Sequence, residues 1–143
     1  MSNLAHIPTA WRRLTESAIE AEQQVYAAPR YAAMLCRTSL EEWVRWMYEH
    51  DGDLVMPYDD NLSQLLHQDS FQALVAPIHF KHLNLIRKLG NAAVHSNAKI
   101  KPEEALHGLQ LLHGFIKWVV GVYSEEPTTI AAFDPALVPH QQG

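Results

Sequence analysis

Cysteine is nearly absent from this sequence: Cys36 stands alone. One thiol makes neither an internal disulfide nor a multi-thiolate zinc site, and a reducing, cytoplasmic setting is the expectation. Cationic charge is also short. Eleven Lys and Arg face sixteen Asp and Glu, a net charge of −5, which argues against a simple nucleic-acid clamp but leaves room for a local basic stripe. Glycine is scarce at 6 residues, and 48% hydrophobic against 19% charged residues describes a globular chain. The longest apolar stretch, Leu109 to Tyr123, is broken by Gln110, His113 and Lys117 and falls short of the ~20 residues that span a bilayer. No basic region followed by an apolar core opens the chain, so no secretory signal is expected. Gly-rich phosphate loops, His-Glu-x-x-His, Cys-x-x-Cys and Gly-x-Ser-x-Gly are all missing, which sets aside a recognisable ATPase, zinc protease or serine hydrolase.

Helical periodicity, by contrast, is nearly everywhere. Thr9 is placed to cap a first helix in which Trp11, Leu14, Ala18, Ala21 and Val25 recur at steps of three and four. Pro29 suits the first turn of a second helix carrying Ala32, Cys36, Leu40, Trp43 and Met47 to about His50. Asp51-Gly52-Asp53 and Pro57 with Asp59-Asp60-Asn61 mark a loop. Leu62, Leu65 and Leu66 predict a short helix, and Phe71, Leu74 and Val75 another. Pro77 opens a longer one with an apolar stripe of Ile78, His82, Leu85, Leu89 and Ala92, ending near His95 to Asn97. Lys101-Pro102-Glu103-Glu104 starts the last helix, with acids opposing the positive dipole end. Its apolar residues lie on more than one side, as in a helix packed in the middle of a bundle. With no period-two alternation and no internal repeat, the expectation is an all-α, up-and-down bundle of four to five helices. Residues 1–126 form that domain, and 127–143, with Pro127, Pro135 and Pro139, read as a Pro-rich tail or linker.

The most informative stretch for chemistry is Leu85-Ile86-Arg87-Lys88-Leu89-Gly90-Asn91-Ala92-Ala93-Val94-His95. Arg87, Asn91 and His95 are spaced by four and stack along one side of a helix. At about 100° per residue that row points away from the expected apolar stripe. Guanidinium, amide and imidazole together suit a phosphate, with Arg as the fork and His as an adjustable proton. The nucleic-acid or phosphate-binding candidates are therefore Lys81, Arg87, Lys88, Asn91 and His95, with His95 and Arg87 as the only catalytic candidates. A solvated helix face is the plainer alternative.

Other residues read more simply. His79 with His82, and His107 with His113, lack a carboxylate or thiolate at metal-ligand spacing, so no metal is expected and His82 and His113 are read as core histidines. Glu41 and Glu42 can pair with Arg37 or Arg45, or lean across to Arg87; Glu16, Glu20 and Glu22 read as a solvated face. Trp11, Trp43 and Trp118 fall in apolar stripes, whereas Trp46 falls off its stripe and marks a contact with another chain or domain. Cys36 reads as a small core residue with no adjacent base.

Ile86-Arg87-Lys88-Leu89-Gly90-Asn91-Ala92-Ala93-Val94-His95 resembles the signature of the helical domain fronting many type I restriction R subunits (HsdR), a family grouped with HEPN-like bundles. Ala28-Pro29-Arg30-Tyr31-Ala32 followed by Arg37-Thr38-Ser39-Leu40-Glu41-Glu42-Trp43-Val44 is similar to the same family's second helix. The likeness runs from about Leu14 to Ser124. It implies a HEPN-like, non-catalytic amino-terminal module of an ATP-dependent, DNA-translocating restriction enzyme. Such a module would dock to other domains or subunits of the complex, to DNA or RNA, or to a second copy of itself. No cofactor is implied for this domain; ATP and Mg belong to the parent. HEPN ribonucleases place an Arg four to six residues before the His. Here seven residues separate Arg87 from His95, and Lys88 has the right gap without the fork. A metal-independent ribonuclease using His95 is the alternative reading.

Overall fold

The computed structural model describes residues 2–95, 97, 99–125 and 128–140. Among the described residues the chain forms six α-helices and two short 3-10 turns, and no strand. The helices are α1 (Arg12–Gln24), α2 (Pro29–His50), α3 (Leu62–His67), α4 (Asp69–Leu74), α5 (Pro77–His95) and α6 (Pro102–Tyr123). Six helices exceed the four to five expected of the bundle; the two short ones read separately from the sequence are α3 and α4, parted at Gln68 with φ −63° and ψ 137°.

Local chemistry accounts for most boundaries. Proline occupies the first turn of α2 and of α6, where the missing N–H is no loss. Glu104 reaches back to accept the Lys101 backbone N–H at 3.0 Å, and Asn61 Oδ1 accepts the Gln64 N–H at 3.0 Å to cap α3. Thr9 does not cap α1. A 3-10 turn over Thr9–Trp11 precedes that helix, and the Trp11 N–H closes onto the Pro8 carbonyl at 2.9 Å. Backbone thus does there what the hydroxyl was expected to do.

α2 runs through the middle and packs on α1, α5 and α6. Its Leu40, Trp43 and Met47 are fully buried with Phe71, Leu83, Ile86, Leu112 and Phe115. Trp43 stacks on Trp11 with ring centroids 5.6 Å apart. α3 and α4 close one end, where the Tyr48 hydroxyl donates to the Leu65 carbonyl at 2.5 Å. Trp46 belongs to this same packing, 4.6 Å from the Trp11 ring, 4.3 Å from His50 and 5.3 Å from Tyr123. Its ring is half-buried there, so its outer part still faces solvent.

α5 is rotated from its expected phase. The buried residues are Leu83, Ile86, Gly90 and Ala93, while Ile78 and Leu85, assigned to the apolar stripe, are 55% and 44% exposed. At about 100° per residue the two stripes differ by roughly 100°. Small residues explain the shift. α2 and α5 run antiparallel, with Arg30 bonded to the Ala93 carbonyl and Arg37 lying on Gly90. A Cβ at Gly90 would stand 2.4 Å from Arg37 Cβ, so the helices approach closely only because that side chain is absent.

Of the expected tail, residues 128–140 are described, and 127 and 141–143 lie outside the described residues. Ile130 and Val138 are buried and Phe133 packs against the core, with Asp134 capping the turn at Pro135–Leu137. No helix among the described residues is long and apolar enough to cross a membrane.

Candidate functional site

The phase of α5 decides which side chains reach solvent. Lys81, Lys88 and His95 are exposed. Spaced by seven, they form a line along the outer face at intervals of about 10.5 Å. Arg87 and Asn91 are half-buried on the shoulder of the helix, not on the outermost line where the sequence row put them. Arg87 is held by its own helix: Nε and Nη2 donate to Asn84 Oδ1 at 3.1 and 2.8 Å. The expected reach of Glu41 or Glu42 to Arg87 is not made. Glu41 sits between Arg45 at 2.9 Å and Arg37 at 3.6 Å, and Arg45 also meets Asp60 at 3.3 Å. Those contacts, Glu41 foremost, raise the Arg45 pKa above the ordinary guanidinium value.

These ion pairs separate two sets of cations. Arg37 and Arg45 on α2 are answered by carboxylates on a shallow groove that also includes Thr38 and Glu42. Among the described residues no ion pair involves Lys81, Arg87 or Lys88. The sequence carries a signal for this that periodicity passes over. All sixteen acids lie outside residues 70–102, a stretch holding Lys81, Arg87, Lys88, Lys99 and Lys101. On a chain of net charge −5, that is a strong local reversal of sign, and such a patch attracts polyanions. His95 closes α5 in its last turn.

Beside the cationic line, Leu85, Leu89, Leu111 and His107 border a cleft of 150 Å³ between α5 and α6. His79 packs on Trp118 at 5.5 Å, and burial, then the neighbouring His82, lowers its pKa. His82 is half-buried; His113 is buried, with Nε2 3.2 Å from the Asn3 carbonyl oxygen. Cys36 is buried, and burial alone pushes its thiol up to about 12, far from a reactive thiolate.

One polar residue was assigned to the wrong environment. Glu22 is fully buried, although Glu16 and Glu20 on the same helix are exposed as expected. Ala18, Ala21 and Val25, all 0% exposed, share its face of α1. Spacing alone therefore pointed to burial, and the charge of the side chain masked it.

The family model for a domain of unknown function, DUF4145, matches residues 19–132, from α1 to the segment packed beyond α6. The chain belongs to the DUF4145 family. No curated protein and no solved structure matches it. The DUF4145 match takes in all of α2 and α5, and so both the paired arginines of the groove and the acid-free cationic line.

Proposed function

We propose that this chain is a non-catalytic, HEPN-like helical module of a restriction-type enzyme, working in the cytoplasm. It docks through the outer face of α5 to nucleic-acid phosphate. The observation that carries the reading is the line of Lys81, Lys88 and His95, flanked by Arg87 and Asn91, within 33 residues devoid of carboxylates (70–102). The resemblance of the Ile86–His95 segment to the front of type I restriction R subunits supplies the larger setting. An acidic surface on a neighbouring subunit of that enzyme would meet the same face by the same chemistry. Phosphate binding of this kind is sequence-independent and salt-sensitive, because each neutralised phosphate releases condensed counterions.

Titration of a labelled DNA duplex at about 50 and 200 mM salt tests it. Affinity falls steeply with salt, and Lys81→Ala and Lys88→Ala each reduce the salt slope by about 1. Binding indifferent to salt, or unchanged when Lys81, Arg87 and Lys88 are all alanine, overturns the reading. Labelled RNA in EDTA tests the ribonuclease alternative. Eight residues of helix set the Arg87 and His95 Cα atoms about 12 Å apart, a long reach for two groups sharing one phosphate. No product is expected; a product that disappears in His95→Ala would replace the non-catalytic module with an enzyme.

A further inference from the structure

A buried polar knot joins four parts of the chain at the seam between α1 and α6. Glu22 Oε2 accepts both the backbone N–H and the Nδ2 of Asn3, each at 3.0 Å. Glu22 Oε1 is buried with no hydrogen-bond partner among the described residues. Asn3 Nδ2 also donates to the Asp134 carbonyl at 3.0 Å, and Asn3 Oδ1 accepts the Asp134 N–H at 2.7 Å. The Asn3 carbonyl stands 3.2 Å from His113 Nε2. One asparagine therefore ties the first residues to α1, to α6 and to the segment beyond α6. Glu22, His113, Leu112 and Phe133 line a cavity too narrow to admit a water molecule.

His113 is the titratable group best placed to disturb this knot. Facing it are Glu22 from α1, Lys117 one turn along α6, the Asn3 carbonyl and the Phe133 ring at 5.6 Å. We infer that Asn3 is the fastening of an acid-released strap. When His113 takes a proton, residues 2–8 and 128–138 lift from the α1–α6 seam while the four long helices stay packed.

The energetics favour that response over any other. A charged imidazole in a space without water needs solvent or a full set of partners. Separating α1 from α6 would expose the central core. Lifting the strap uncovers chiefly what Leu4, Ile7, Ile130, Phe133 and Val138 cover. Burial is the largest influence on His113 and lowers its pKa from the ordinary imidazole value; Asn3 and Glu22 oppose the lowering, and Lys117 adds to it. The closed form thus binds fewer protons than the opened one. Its stability is full above the ordinary imidazole value and falls as pH drops from there through the lowered one. This inference is independent of the docking face on α5.

Hydrogen exchange on the full chain at about pH 7.5 and pH 5.5, a window spanning imidazole titration, tests it once rates are corrected for intrinsic exchange. Protection in 2–8 and 128–138 falls by up to about tenfold per pH unit, and α2 amides are unchanged. His113→Gln removes that pH dependence. Asn3→Ala, which leaves His113 untouched, opens both segments at either pH. Equal protection at the two pH values, wild-type pH dependence in His113→Gln, strap protection unaltered by Asn3→Ala, or loss of α2 protection in step with the strap would each overturn the inference.

Discussion

The seam between α2 and α5 and the seam between α1 and α6 are closed by opposite means. At the first, contact depends on a missing side chain: Gly90 lets the stem of Arg37 lie directly on the α5 backbone. At the second, a full carboxylate is sealed inside and answered by Asn3. Close packing of bare surfaces depends on van der Waals fit and tolerates no added atom. A buried polar knot depends on complete pairing, and it suffers most from losing one partner. The two seams should therefore fail differently: the first when something is added, the second when something is removed.

Enlarging Gly90 is the severest test. Its Cβ would lie 2.4 Å from Arg37 Cβ and 2.7 Å from Arg37 Cδ, and Arg37 Cβ cannot retreat unless α2 moves. Gly90→Leu is expected to destabilise by about 3 kcal/mol, read as a lower urea midpoint with unchanged slope. A Gly90→Leu protein as stable as wild type would show that the helices do not touch there. The opposing seam is broken by subtraction. Asn3→Ala takes the Nδ2 donor from Glu22 Oε2, which keeps only the backbone N–H of residue 3, and removes both side-chain bonds to Asp134. It is expected to cost about 1–3 kcal/mol in the same titration. A loss of only a few tenths would mean that the knot is solvated.

How these seams are built also explains what was legible in the sequence. α2 and α6 were readable because proline marks both starts, joined at α6 by first-turn acids, and large apolar residues such as Leu40, Trp43, Leu109 and Ile116 fill their stripes. α5 was located correctly from Pro77 to His95, but its phase was drawn through Ile78 and Leu85, two bulky residues that stay exposed. Hydrophobic size is a poor guide wherever a helix packs through Gly90 and Ala93. The candidate site inherited that error: Lys81, Lys88 and His95 reach solvent as expected, while Arg87 and Asn91 sit on the shoulder. Glu22 was hidden for the reverse reason, since a charged side chain on an otherwise buried face carries no sequence mark of its partner nineteen residues away. The packing of Ile130 and Val138 was equally silent, because isolated apolar residues among prolines have no period to detect.

Glycines elsewhere sharpen the contrast by reversing its sign. Gly114 on α6 is exposed, and a Cβ there would meet nothing within 4 Å. Gly114→Ala should gain about 0.5–1 kcal/mol, since alanine loses less backbone freedom in a helix. A loss on thermal or urea denaturation would indicate that another surface already approaches α6 at that point.

The smallest expected effect lies at the polar edge of the α2–α5 seam. Glu41 bridges Arg45 at 2.9 Å and Arg37 at 3.6 Å, and these side chains are 30–33% exposed. Pairs of this kind contribute about 0.3–0.5 kcal/mol each at (i, i+4) spacing and are screened by salt. Glu41→Gln keeps the shape of the side chain and leaves Arg45 its contact with Asp60. The expected loss is therefore a few tenths of a kcal/mol at low ionic strength, vanishing near 1 M salt, where the screening length is about 3 Å. Arg37 makes the measurement informative, because its Nε is buried without a partner among the described residues while its stem covers Gly90. If Glu41 also fixes that stem in place, the loss will persist in high salt. The glycine contact would then depend on the ion pair at its edge, and the first seam would be sensitive to subtraction as well as to addition.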